Sequence, residues 1–103
     1  MTVVELPPPS PALIVHEAAY WIRRIADRAA TGVATNPYWS VGWKRGVINA
    51  IGGDEGDLAA LLTPELAVQL ADWLDECASK NARTGEPIPA LALAFTKAPE
   101  PAP

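Results

Sequence analysis

Few residues in this chain could carry chemistry. There is one histidine, His16, beside Glu17, and one cysteine, Cys77. A catalytic base needs an orienting group and a nucleophile within hydrogen-bond reach. Nothing in the sequence sets such partners around His16, which reads as a residue on the polar face of a helix. Cys77 falls in an apolar helical stripe with no basic group arranged around it, so it reads as an inert, partly buried thiol. One histidine and one cysteine do not make a structural zinc site. Asp54, Glu55 and Asp57 offer carboxylates to a hard cation, but they lack the calcium-loop spacing and its bidentate glutamate. The sequence predicts a protein that is not an enzyme and takes no cofactor or metal.

Two nucleotide motifs are also missing. Gly46, Gly52, Gly53 and Gly56 are not followed by the Lys-Ser/Thr pair of a phosphate-cradling loop. Gly52-Gly53-Asp54-Glu55 shares its letters with the signature of diguanylate cyclases. Gly56 stands where that signature continues with phenylalanine, and the four residues fall at a helix end rather than on a β-hairpin. The match is a coincidence of letters.

What remains is chemistry of contact. The chain has four tryptophans and two tyrosines, and tryptophan, tyrosine and arginine dominate interface energetics. The stretch from Asn36 to Gly53 interleaves Tyr38, Trp39 and Trp43 with Lys44 and Arg45. The expected partner-binding residues are Tyr20, Arg24, Tyr38, Trp39, Lys44 and Arg45. An alternative reading makes these a nucleic-acid interface, in which basic and stacking groups of the first two helices face phosphates and bases. The pI of about 4.8 runs against a strong phosphate-driven binder. A third reading is a structural homo-oligomer, with the closing helix or the Gly42/Gly46 face packed across a two-fold axis.

These residues need helices to position them. The net charge is −4, but it is unevenly spread. Tyr20 to Ile51 holds five bases and one acid, whereas Gly52 to Glu76 holds seven acids and no base. That split predicts attraction between neighbouring helices, with the rest of the charge solvated. Many of the apolar residues are alanine, which favours packed helices over a sheet.

The predicted fold is all-α: a small bundle with three main helices at 11–31, 37–51 and 64–82. A short helix at 58–62 and a closing helix at 90–97 complete it. Ser10-Pro11, Asn36-Pro37 and Thr63-Pro64 each pair a capping side chain with a proline suited to the first helical position. Asp57 is the expected cap of the short helix. Gly32, Gly52-Gly53 and Gly85 are the expected stops. Ile14, Ala18, Trp21, Ile22, Ile25 and Ala29 form the expected core stripe of the first helix. Trp39, Trp43, Val47, Ala50 and Ile51 form that of the second. Gly42 and Gly46 mark a face for close helix approach. Leu66, Leu70, Trp73, Leu74 and Cys77 line the long C-terminal helix, with Asp72, Asp75, Glu76 and Lys80 facing water. Arg23 and Asp27 are spaced for an ion pair along one helix.

Residues 1–10 read as a flexible proline-rich arm, 11–98 as one helical domain and 99–103 as a flexible tail. The N-terminus has no basic region followed by an apolar run, and no stretch approaches the ~20 apolar residues that span a bilayer. A soluble, cytoplasmic protein is expected.

The run from Trp39 to Leu74 resembles small helical proteins of unknown function from actinobacteria and their phages. The carriers are GWKRGVINAIGG at 42–53, GDLAALL at 56–62 and TPELAVQLADWLDE at 63–76, with ALALAFTKA at 90–98 in the place of their closing helix. The resemblance implies a phage-encoded accessory protein that modulates a host cytoplasmic protein. It carries over no catalytic residue.

Overall fold

The computed structural model describes residues 10–96, and these form an all-α fold with no strand among them. The helices are α1 (Pro11–Thr35), α2 (Trp43–Ile51), α3 (Gly53–Ala60), α4 (Pro64–Thr84) and α5 (Ala90–Ala94), with a 3-10 turn over Pro37–Val41 between α1 and α2. The arm at 1–9, the last residue of the expected closing helix and the tail at 99–103 lie outside the described residues.

Helix starts follow the local chemistry. Ser10 Oγ accepts from the Leu13 amide at 3.2 Å, and Thr63 Oγ1 accepts from the Leu66 amide at 3.2 Å. Each side chain satisfies an amide that has no partner within its helix. Asn36 Oδ1 accepts from the Tyr38 amide at 3.0 Å, but it caps the 3-10 turn rather than an α-helix.

Several boundaries differ from the sequence reading. α1 runs through Thr31-Gly32 to Thr35 because Gly32 stays right-handed and nothing interrupts the ladder until Pro37. The residue before a proline is excluded from helical backbone, so Asn36 is the true stop. The expected helix 37–51 is broken at Gly42, whose φ of 91° and ψ of 166° suit glycine alone. Gly52, at φ 75°, divides α2 from α3 in the same way, so the short helix starts at Gly53 and Asp57 lies inside it rather than capping it. α4 extends to Thr84, where Gly85 ends it in the expected left-handed conformation. α5 is shorter than the expected closing helix.

The core lies between α1 and α4. It is built from Ala12, Val15 and Ala19 on α1, Ala71, Leu74 and Ala78 on α4, and Ile88 and Ala92 at the α5 end. The alanines let the two long helices approach closely. Leu74 and Val15 are the largest side chains fully removed from water, each worth about 1.5–3 kcal/mol.

This core corrects the expected stripe of α1. Ile14, Trp21 and Ile25 are 36%, 51% and 64% exposed. α1 has two apolar faces, and the one of small residues is buried. In the second expected helix, Val47 is buried while Ala50 and Ile51 are exposed. In α4, Leu74 is buried and Leu66 is exposed.

The charge split does join the long helices, through pairs the sequence did not specify. Arg23 bonds Asp72 at 2.7 Å and Asp75 at 2.5 Å on α4, rather than Asp27 on its own helix. His16 Nδ1 donates to Asp75 Oδ1 at 2.6 Å. His16 and Asp75 are therefore held between helices, neither of them simply facing water.

Candidate protein-interaction surface

The residues expected to meet a partner fall in two separate groups. Tyr20 and Arg24 sit one turn apart on α1, both exposed, with Arg24 Nη1 reaching the Tyr20 hydroxyl at 3.5 Å. Tyr20 also packs edge-on against Trp21, ring centroids 5.4 Å apart. Tyr38 and Trp39 lie in the 3-10 turn, and Lys44 and Arg45 lie in the first turn of α2. Among the described residues, no hydrogen bond, ion pair or ring contact joins the two groups.

The second group is a knot of aromatic rings. Trp39 stacks on Trp43 at 5.2 Å and 13°, and Tyr38 meets Trp39 edge-on at 5.0 Å. The Tyr38 hydroxyl donates to the Gly46 carbonyl at 2.7 Å. A methyl group on Gly46 would run into the six-membered ring of Trp39. Gly46 is thus a close-approach glycine, but it receives an indole rather than a helix. Gly42 makes no such contact and is needed for its backbone conformation alone. Trp39 is half-buried, with one ring face already covered by Trp43. Lys44 and Arg45 remain exposed beside the knot.

A larger feature lies on the other apolar face of α1. A groove of about 270 Å³ runs between α1 and the start of α4, walled by Ile25, Ala29, Trp43, Leu62, Ala67 and Leu70. Phe95, just past α5, closes one end. A second cavity of about 310 Å³ continues past Phe95 along Ile14, Ala18 and Trp21. Ile22, Ile25 and Phe95 border both, so the two form one apolar trough. Among the described residues, α5 itself lines neither cavity, whereas Phe95, just past it, lines both and Thr96 the second.

Sequence reasoning missed this surface because it assigned Ile14, Trp21 and Ile25 to the core. The signal was present: Ala12, Val15, Ala19 and Ala26 also recur at helical spacing. A helix apolar on two sides must bury one against a neighbour and offer the other.

The polar cluster of His16, Arg23, Asp72 and Asp75 has its own electrostatics. Burial pushes the Asp75 carboxyl up, but hydrogen bonds from His16 and Arg23 pull it down further, leaving it below its ordinary value of 3.8. Arg23 is raised by its hydrogen bonds to Asp72 and Asp75. The His16–Asp75 pair has the form of a base with its orienting carboxylate. No hydroxyl or thiol of the described residues bonds His16, and the second carboxylate partner of Arg23 makes the cluster an ion-pair clamp between α1 and α4. Among the described residues no three His, Cys, Asp or Glu side chains are placed to share a metal ion. No helix of the described residues is long and apolar enough to cross a membrane.

No family model, curated protein or solved structure matches this chain.

Proposed function

We propose that this is a non-enzymatic protein-binding module that takes an apolar helix of its partner into the groove between α1 and the start of α4. One observation carries the reading. Large apolar side chains, among them Ile25, Leu62 and Leu70, line a groove beside a core built largely of alanines. Amphipathic helices bind such grooves through anchors spaced a turn apart. Exposed apolar patches of this kind mark interaction sites more often than accidents of packing. Lys44 and Arg45, next to Trp43 in sequence and exposed, supply basic groups for an acidic partner. If the chain is phage-encoded, as the resemblance of 39–74 to small helical proteins of actinobacteria and their phages implies, the partner is a host protein.

The nucleic-acid reading has less support. Its stacking groups, Tyr38 and Trp39, are engaged with Trp43 and Gly46.

Filling the groove tests the proposal. Ala29→Trp and Ala67→Trp each place an indole in the cavity without touching the alanine core. Each should abolish partner capture and leave the helical circular dichroism unchanged. Partner binding that survives both substitutions contradicts the groove as the site.

A further inference from the structure

The exposed face of α1 carries a pattern that matches itself. Ile14, Ala18, Trp21 and Ile25 are spaced by four, three and four residues, the spacing of a coiled-coil seam. Turned end for end, the same series opposes Ile14 to Ile25 and Ala18 to Trp21. A large ring then meets a methyl group twice, and two isoleucines meet twice. Glu17 and Arg24 lie on the outer flank of this seam, one heptad apart. Residues at that flanking position pair with each other when two helices run antiparallel. Glu17 would therefore face Arg24 of a second copy, and Arg24 its Glu17. A parallel copy would place both against the opposite flank, where Val15 and Ile22 turn toward α4.

The structure leaves these groups available. Ile14, Trp21 and Ile25 are exposed, and so are Glu17 and Arg24. Glu17 makes no ion pair among the described residues, and Arg24 has only its long contact with Tyr20. The cavity beside Ala18 and Phe95 opens on the same side, where an incoming indole would enter.

We infer that α1 is the interface of an antiparallel homodimer, a two-fold pairing held by the Ile14–Trp21–Ile25 seam and oriented by reciprocal Glu17–Arg24 pairs. The seam shares Ile25 with the proposed partner groove but takes in none of Ala29, Trp43, Ala67 and Leu70 on its other walls. Dimerisation and partner capture can therefore fail separately.

Sedimentation equilibrium of the full chain tests the pairing. The expected mass is twice 10.9 kDa. Glu17→Arg and Arg24→Glu should each weaken the dimer roughly tenfold, because two attractive pairs become two repulsive ones. An equimolar mixture of the two variants should recover the dimer as a heterodimer, since each copy then meets opposite charge at both positions. That recovery also excludes misfolding as the cause of weakening. A wild-type chain that stays monomeric into the millimolar range overturns the inference. So does a dimer indifferent to both charge reversals, or a mixture that fails to associate.

Discussion

A methyl group at position 46 has nowhere to go. Inside a helix, Gly→Ala is ordinarily worth about 1 kcal/mol of added stability. At Gly46 the added carbon collides with Trp39, which is itself held by Trp43 and Tyr38. Overpacking of this kind costs about 1–3 kcal/mol, so the collision should win. Gly46→Ala is expected to lower the melting temperature and weaken the near-ultraviolet tryptophan signal. In a Trp39→Ala background the same substitution should become stabilising, and thermal melts of the four variants check the reversal of sign. Asp75 gives a second test at this scale. Its carboxyl is held below the unfolded value of 3.8. A depressed carboxylate contributes stability that is present above the unfolded value and lost as pH falls through the folded one. Stability should therefore drop below about pH 4, with Asp75→Asn flattening that drop and costing about 1 kcal/mol or less at neutral pH, because the cluster is partly solvated. Urea denaturation across pH reads both effects.

The elements divide the apolar residues in a way that substitution can resolve. Leu74 is fully buried against α1, and Leu74→Ala should cost about 2–5 kcal/mol. Leu62 is half exposed at the groove edge, and Leu62→Ser should change stability by no more than about 0.5 kcal/mol. Chemical denaturation that finds the two equally costly would return the groove to the core. The same division shows how much the sequence disclosed. The all-α class, the Ser10 and Thr63 caps and the Gly85 stop were legible because each rests on a residue's own backbone chemistry. Gly42 was misread because a glycine inside a helical pattern gives no sign of its φ until the neighbouring rings have packed. The face of α1 was misread because size outweighed spacing: Trp21 and Ile25 look more like core than Ala19 and Ala26. Only the alanines of α4 opposite them decide the matter. For the candidate surface, Tyr20, Arg24, Lys44 and Arg45 are exposed as a binding role requires, while the trough itself depends on α4 and Phe95, which lie far from α1 in sequence.

On the scale of the whole molecule, the chain forms two unequal packing units. α1 and α4 share the core, with α5 docked at one end, whereas α2 and α3 pack chiefly on each other and the 3-10 turn links α2 to α1. Opening free energies follow buried contact. Amide exchange should therefore be slowest around Val15 and Leu74 and faster throughout α2 and α3, as hydrogen-exchange mass spectrometry can measure. Uniform protection across all four helices would show a tighter union of the two units than the packing implies. The groove lies at their junction, walled by Trp43 from one and by Ile25, Ala67 and Leu70 from the other. An occupant seated there would join them.

The claim that this groove takes a partner is tested most directly by affinity capture from a cell lysate, comparing the wild-type chain with Ala29→Trp and Ala67→Trp. The account predicts one protein retained by the wild type and lost from both filled variants, whose melting curves match the wild type. Equal retention by the filled variants, or no protein retained by the wild type, would contradict it.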